Sequence, residues 1–299
     1  MASTREIQTR IKSIQDTRKI TNAMYMIAST KLRKARRALD ETEPYFYALQ
    51  SSMNRMLRHC PDVTHPFFDH REEIPEEKKT RGYLVITADK GMAGAYNHNV
   101  IREAEECLEQ HENTKLYVVG FVGSQYFLKN PDKADPEFHY TAQDPSLGRA
   151  RLIAEQLVDL FLSGELDEVN VIYTRMQKGS QTETVMQKLL PMERQDFSNI
   201  PVDVYQETLN FYPSPDQVIE NIGKNFMTGF VYGALVESYC CEQNARVMAM
   251  EAATDNANEM LHELGILYNR VRQTAITQEI TEVISGAKAQ RRKKKGTNQ

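Results

Sequence analysis

The distribution of proline constrains this fold more than any other feature of the sequence. All eleven prolines lie between Pro44 and Pro215, so the first 43 and the last 84 residues contain none. Because proline inside a helix costs ~3 kcal/mol, both ends are free to form long unbroken helices. About 70 helical residues would span ~105 Å, which exceeds the diameter of a globule of this size.

Apolar residues repeat every 3.5 positions at both ends. Alternating steps of four and three from Ile7 meet eight apolar residues in ten positions, and steps of three and four from Met250 meet seven in eight. Such a repeat forms a seam that supercoils around a partner helix. The predicted seam positions are Ile7, Ile11, Ile14, Arg18, Thr21, Tyr25, Ala28, Leu32, Ala35 and Leu39 at one end, and Met250, Ala253, Ala257, Met260, Leu264, Leu267, Val271 and Thr274 at the other.

The charges of the two ends are complementary. Residues 1–38 carry ten Lys/Arg and two Asp/Glu, whereas residues 233–285 carry three Lys/Arg and eight Asp/Glu. Oppositely charged helices pair with each other more readily than with their own copies. The sequence therefore predicts an intramolecular antiparallel coiled coil. The alternative, two amphipathic helices on the surface of one globule, fits the length of the proline-free segments less well.

Strand and helix patterns alternate in the middle of the chain, which predicts a small, mostly parallel α/β sheet domain. Strands are predicted at 83–87, 115–123, from Glu168, at 182–190 and at 208–212, and helices at 97–110, after Gly123 and at 147–162. Strand 182–190 is expected to be an antiparallel edge, because the connection before it is too short for a crossover. The expected division is an N-terminal coiled-coil helix (1–57), a linker (58–81), an α/β domain (82–212), a C-terminal coiled-coil helix (213–287) and a basic tail (288–299).

Motifs for catalysis or cofactor binding are weak. The turn ADKGMAGAYN places Gly91 and Gly94 between a strand and a helix, but it is not G-x-G-x-x-G, and no G-x-x-x-x-G-K-[ST] occurs. Asp89 and Lys90 could form an acid–base pair, although a structural role at the strand end is favoured. The four cysteines lack metal-site spacing. We therefore expect no catalytic residue, no cofactor and no metal.

Both ends resemble the gamma subunit of F-type ATP synthases. NARVMAMEAATDNANEM and LYNRVRQTAITQEITEVISGA are similar to its C-terminal signature, and IQTRIKSIQDTRKITNAMYMIASTKLRKAR to its N-terminal signature. The turn ITADKGMAGAYNHNV resembles a turn of the same family. The resemblance extends from about residue 5 to residue 287. The chain is therefore identified as a member of that family, of the bacterial type.

The resemblance implies a rotor shaft. In that family the terminal helices form an asymmetric coiled coil inside a hexamer of alpha and beta subunits, and the middle domain meets the epsilon subunit and the ring of c subunits. Proton flow turns ring and shaft, and the shaft drives the catalytic sites of the hexamer and regulates ATPase activity. We thus expect a non-catalytic subunit, peripheral to the cell membrane on its cytoplasmic side, with no nucleic-acid partner.

The resemblance also assigns partner contacts to individual residues. Met24 matches a methionine near the lever of the beta subunit, and Arg272 with Gln273 matches a pair that meets a beta-subunit loop. Glu242 and Arg246 match a pair near the coiled-coil exit, and their i, i+4 spacing predicts a mutual contact. The apolar tip inside the head corresponds to Ile280, Val283 and Ile284.

The sequence also departs from the family pattern. Asn22 and Tyr25 stand where the family has lysines, Tyr212 replaces an acidic residue, and the basic tail continues past the usual end. Two other functions remain open at this stage. The basic termini could bind nucleic acid or an acidic surface, and the middle sheet could carry an enzyme site.

Overall fold

The computed structural model describes residues 3–60, 64–177, 181–197, 212 and 214–296, without the side chains of 43, 195, 196 and 289–296. The chain divides into two compact units, Met1–Ile27 with Ala249–Gln299, and Ala28–Met248. The elements are α1 (Thr4–His59), β1 (Arg81–Ile86), α2 (Tyr96–Gln110), β2 (Thr114–Val119), α3 (Phe121–Phe127), α4 (Leu147–Leu162), β3 (Glu168–Met176), β4 (Thr182–Leu190) and α5 (Pro215–Gly296), with short 3₁₀ helices at Pro66–Phe68 and Arg194–Phe197.

The terminal helices are long, as the proline distribution predicts. Helix α1 has 56 residues and helix α5 has 82. Helix α1 continues through Pro44, where one backbone donor is missing, and Phe46 in the same turn stacks on Phe226 with ring centroids 5.3 Å apart. Pro215 opens α5, a position where its missing N–H would have no helical partner. Packing against α5 therefore allows α1 to remain helical at Pro44, where helix propensity alone would predict a break.

The second unit contains a four-stranded sheet in the order β2-β1-β3-β4. Strand β1 pairs in parallel with β2 and β3, and β4 pairs antiparallel with β3. The predicted mostly parallel sheet and its antiparallel edge are thus confirmed. Strand β1 begins at Arg81, earlier than predicted, and α3 begins at Phe121 rather than after Gly123. The strand predicted at 208–212 lies outside the described residues except for Tyr212.

Helices cover both faces of this sheet. Val85 and Ile172 on one face pack with Val100 and Ala104 of α2. The other face carries the larger core, in which the strands meet α4, the last turns of α1 and the first half of α5. Representative members of this core are Leu84, Val171, Met53, Leu157 and Met227.

The segment expected to be a linker, residues 58–81, contributes a residue to the core of the second unit. Phe67 is fully buried, and its backbone carbonyl accepts a 2.7 Å hydrogen bond from Met192 N–H. A Cβ at Gly223 would lie 2.7 Å from the Phe67 ring, so glycine there makes room for the ring. The buried Phe67 side chain thus supplies apolar contact area in a segment that, from its proline and charged residues, was not expected to contribute to the core.

Side-chain hydrogen bonds cross between the helices of the first unit. Gln8 bonds Tyr268 at 2.8 Å, Arg18 bonds Asn258 at 3.1 Å, and Thr21 lies 2.8 Å from Thr254. Residue numbers rise along α1 as they fall along α5, so the pairing is antiparallel. The predicted antiparallel coiled coil is confirmed for this unit.

The predicted seam is right for α1 but partly wrong for α5. Ile7, Thr21, Met250 and Ala257 are buried at predicted positions. Met260 and Leu267, however, are 50% and 42% exposed. Met250, Ala257, Leu264 and Val271 belong to both the predicted and the observed seam. Between them, Thr254, Leu261 and Tyr268 are half-buried, so the observed steps from Met250 are four and three rather than three and four.

Candidate partner-contact surfaces

An outward apolar stripe surrounds Met24 on α1. Met24 is half-buried, while Ile20 and Ile27 on either side are 61% and 58% exposed. Their spacing of four and three places all three on one helix face. Sequence reasoning missed the two isoleucines, although the same stepping that found the seam would have found this second row. We name Ile20, Met24 and Ile27 the outer stripe.

The C-terminal part of α5 extends beyond its partner helix. The bond between Gln8 and Tyr268 sets Thr4, the first residue of α1, level with Arg272. Every side chain from Arg272 to Lys288 is exposed, over a length of ~24 Å. Apolar residues continue along this uncovered helix. They are Ile276, Ile280, Val283 and Ile284, which are 46%, 54%, 71% and 50% exposed.

Arg272 and Gln273 lie where the pairing stops. Val271, just before them, is half-buried, whereas both of their side chains are exposed. Within the described residues, the Arg272 guanidinium has no ion pair or hydrogen bond. The pair stands about 30 Å along the helix axis from Met24. The structure therefore brings Arg272 together with Gln273, and it separates them from Met24.

Glu242 and Arg246 form an ion pair inside the second unit. Glu242 Oε1 and Arg246 Nη2 are 2.7 Å apart, and the residues are only 3% and 8% exposed. The contact predicted from their spacing is confirmed. Burial raises the pKa of the Glu242 carboxyl, and the Arg246 guanidinium partly offsets that effect. Arg246 Nη2 also donates to the carbonyls of Lys90 and Gly91, at 3.2 and 3.1 Å.

The turn that contains Lys90 and Gly91 is also fixed by hydrogen bonds to the neighbouring Asp89. Asp89 Oδ1 accepts from Phe121 N–H at 2.9 Å, and Asp89 Oδ2 accepts from the backbone N–H groups of Ala142 and Gln143 at 3.0 and 3.1 Å. A carboxylate with this many donors ties three segments together, which supports the structural interpretation of Asp89 over an acid–base role. Beyond it, Met92 adopts a left-handed backbone conformation and is 61% exposed.

The helices described here are not of the membrane-spanning kind, since none combines the necessary length with the necessary apolar content.

Comparison with known proteins identifies the family. The family model described as ATP synthase matches residues 3–290. The ATP synthase gamma chain of Acetivibrio thermocellus is 42% identical over 295 residues, covering 97% of this chain and 99% of the relative. The sodium ion specific ATP synthase gamma chain of Acetobacterium woodii is 37% identical over 299 residues, covering 95% and 97%.

Solved structures have the same fold. A chain of the Euglena gracilis mitochondrial ATP synthase rotor superposes with a TM-score of 0.66 at 17% identity, covering 91% of this chain and 98% of that chain. A chain of the Tetrahymena thermophila mitochondrial ATP synthase central stalk and c-ring gives 0.58 at 22% identity, covering 78% and 99%. On the strength of the family model and the near full-length relatives, the chain belongs to the ATP synthase gamma-chain family.

Proposed function

We propose that this chain is the central-stalk rotor subunit of an F-type ATP synthase. It couples proton flow through the membrane sector to ATP synthesis at the catalytic sites of an alpha/beta hexamer, and it regulates ATPase activity. It is a non-catalytic subunit, held peripherally at the cytoplasmic side of the cell membrane through the complex. Its partners are the alpha and beta subunits, the epsilon subunit and the c-subunit ring.

The uncovered end of α5 carries this proposal. Four large apolar side chains between Ile276 and Ile284 are about half exposed or more, on a helix without a partner from α1. Exposed apolar surface of this kind marks an interaction site. Their spacing of i, i+4, i+7 and i+8 places all four on one helix face, which the inner wall of a surrounding hexamer would cover.

The seam of the first unit suits the transmission of torque. Cross-helix hydrogen bonds at Arg18 and Thr21 lie within one helical turn of each other, and the bond at Gln8 lies ~15 Å further along the axis. Arg18 and Thr21 thus supply polar contacts within an apolar seam. Polar groups in a seam fix its register at some cost in stability. Two helices that cannot slip past each other turn together, which is the mechanical property that a rotor requires.

Two surfaces of the first unit are suited to different contacts with the catalytic subunits. The outer stripe offers apolar side chains that can slide over a partner without a strong directional bond. Within the described residues, the Arg272 guanidinium has no partner, and it can bind a carboxylate through two parallel hydrogen bonds. In the proposed complex, the outer stripe meets the lever of the beta subunit, and Arg272 with Gln273 meets an acidic loop.

Glu242 and Arg246 act indirectly in this proposal. Since both side chains are buried, their surfaces available to a partner are small. Arg246 instead holds the carbonyls of Lys90 and Gly91, next to the exposed side chain of Met92. We therefore assign the pair a positioning role, in which it fixes the turn that meets a neighbouring subunit.

Direct observation of rotation tests the proposal. Cys107, Cys240 and Cys241 are buried and Cys60 is half-buried, so Cys60→Ser with Met92→Cys creates one exposed thiol for a bead. The chain is assembled with alpha and beta subunits fixed to a surface, and ATP is added. Stepwise rotation of the bead in one direction supports the proposal. A stationary bead while the same complexes hydrolyse ATP contradicts it, and the matched Met92→Ser chain controls for nonspecific bead attachment.

A further inference from the structure

The second unit contains a cavity, open on one side, to which the rotor role assigns no purpose. Its volume is about 630 Å³, and it lies between the middle of α1, the first half of α5 and the strands β3 and β4. Small-molecule sites in proteins typically have volumes of ~300–1,000 Å³. The space is thus large enough for a molecule of drug-like size.

Aromatic side chains form a continuous wall of this cavity. Phe46 stacks on Phe226 with centroids 5.3 Å apart, and Phe226 meets Phe197 at 5.1 Å. Phe230 extends the row, 6.2 Å from Phe46 and 6.2 Å from Tyr173. Rings in such a row present both faces and edges, and their faces attract cations.

Two glycines on α5 leave part of the cavity wall without side chains. Gly229 and Gly233 line the cavity one helical turn apart. A Cβ at Gly229 would lie 3.2 Å from Leu49 Cδ1, so this position is closely packed. A Cβ at Gly233 would meet no heavy atom within 4 Å, so this position borders open space. A larger side chain at Gly233 can therefore fill the cavity without a clash at its first carbon.

Two carboxylates, Asp40 and Glu237, and two cations, Arg175 and Lys188, line the cavity. Arg175 is committed to Glu183 at 3.3 Å, and Lys188 is 3.6 Å from Glu168. Glu237 also lines the cavity, and within the described residues its carboxylate has no ion pair. It accepts one hydrogen bond, from Met176 N–H at 3.0 Å. Burial raises the pKa of Glu237, and the Met176 N–H and the nearby Arg175 charge partly offset that effect. A bound cation would further stabilise the ionised form of the carboxyl.

We propose that this cavity is a binding site for an aromatic or aliphatic ammonium ligand, with its apolar body against the aromatic row and its cationic group beside Glu237. The apolar body would replace water along the rings. The ammonium group would donate to the carboxylate and lie over a ring face, as cations do in aromatic pockets. This assignment stands independently of the proposed rotor function.

Calorimetric titration of the full chain tests the site with three matched probes. Phenylbutylamine is the cation, phenylbutanol the neutral analogue and phenylvalerate the anion. We expect the ammonium to bind about tenfold more tightly than the alcohol, which is typical of one charge-assisted hydrogen bond, and the carboxylate not to bind. Equal binding of all three probes, or no binding of the ammonium, overturns the proposal.

Two variants locate the site. Glu237→Gln should weaken the ammonium about tenfold and leave the alcohol unchanged, and Gly233→Leu should abolish binding of both. The matched controls are Glu259→Gln, an exposed residue elsewhere on α5, and Gly148→Leu, where a Cβ also meets nothing within 4 Å. Circular dichroism verifies that each variant is folded. If Gly233→Leu is unfolded, the affinity of Glu237→Gln for the ammonium decides whether the site is correctly located. Unchanged ammonium binding in folded Glu237→Gln places the ligand elsewhere and refutes the assignment.

Discussion

The hydroxyl groups of Thr21 and Thr254 lie 2.8 Å apart at the seam of the first unit, although the residues are 233 positions apart in the chain. Each hydroxyl also lies within hydrogen-bond distance of a carbonyl on its own helix, that of Arg18 or Met250. Because a hydroxyl has one hydrogen, one threonine donates to the other, which donates in turn to its own carbonyl. The two helices thus share one short hydrogen-bond chain.

This threonine pair should behave as a coupled unit. Thr21→Val and Thr254→Val should each destabilise the first unit by ~1 kcal/mol, whereas the double variant should cost less than the sum, with a coupling of ~0.5–1.5 kcal/mol. Chemical denaturation followed by circular dichroism measures all four chains. The control is Thr277→Val, an exposed threonine whose hydroxyl donates to the Gln273 carbonyl on its own helix. Strict additivity would mean that the hydroxyls do not interact.

The observed phase of the α5 seam can be tested by aspartate substitution. Leu261→Asp and Leu264→Asp place a charge at half-buried seam positions and should cost ~2–4 kcal/mol. Leu267→Asp places the same charge at a position that is 42% exposed and should cost under ~1 kcal/mol. Melting temperatures of the three chains give the order. A Leu267→Asp chain as unstable as Leu261→Asp would favour the phase predicted from sequence.

Arg272 and Gln273 should matter for coupling but not for folding. Both side chains are exposed, so Arg272→Ala with Gln273→Ala should leave the melting temperature of the isolated chain unchanged. ATP synthesis in membrane vesicles should fall about tenfold or more, as expected for loss of a bidentate contact. Arg270→Ala, an exposed arginine before the end of the pairing, is the control. Normal synthesis by the double variant would remove the pair from the contact surface.

Arg246 should be among the most sensitive positions of the second unit. Arg246→Met leaves the Glu242 carboxylate buried without its partner, which should cost ~3–5 kcal/mol. Adding Glu242→Gln should recover part of that loss, because the uncompensated charge is gone. Urea denaturation at neutral pH compares the two variants with Arg270→Met. If the second substitution recovers nothing, the main role of Arg246 is its bonds to the Lys90 and Gly91 carbonyls.

Glu237 should make stability depend on pH. Burial raises its pKa above 4.5, with a partial offset from the Met176 N–H. An acid whose folded pKa is raised contributes stability that is complete below its unfolded pKa and is lost as pH rises through the folded value. Glu237→Gln removes that loss, so between about pH 4 and about pH 8 its stability relative to the parent chain should rise as the pH increases above ~4.3 and should level off above the folded pKa. A difference that is constant across this range would contradict the burial argument.

The sequence predicted regular elements well where one pattern dominated. Helix α4 and strand β4 have the predicted bounds, because amphipathic periodicity and flanking turn residues agree there. The α5 seam was harder, since Met260 and Leu261 are neighbouring apolar residues and either can face inward. Which of the two faces inward depends on Thr254, whose hydroxyl can bond the Thr21 hydroxyl only after the helices have paired.

The contact residues show a similar division. Spacing on one helix predicted the pairing of Glu242 with Arg246 because that contact is local. It did not predict their burial or the bonds from Arg246 to Lys90 and Gly91, because those carbonyls are 156 and 155 positions away in the chain. The outer stripe remained unnoticed because Ile20 and Ile27 fall between the seam positions, where residues are expected to be polar.

The single-helix stretch from Arg272 to Lys288 also has a consequence for the life of the protein before assembly. A helix without tertiary packing unfolds locally at little free-energy cost. Its exposed isoleucines and valine can then be bound by a chaperone or protease that recognises apolar segments. Copies made in excess of their partners would therefore present this segment for longer than assembled copies. The residues that the proposed hexamer would cover after assembly would thus expose the unassembled chain to degradation.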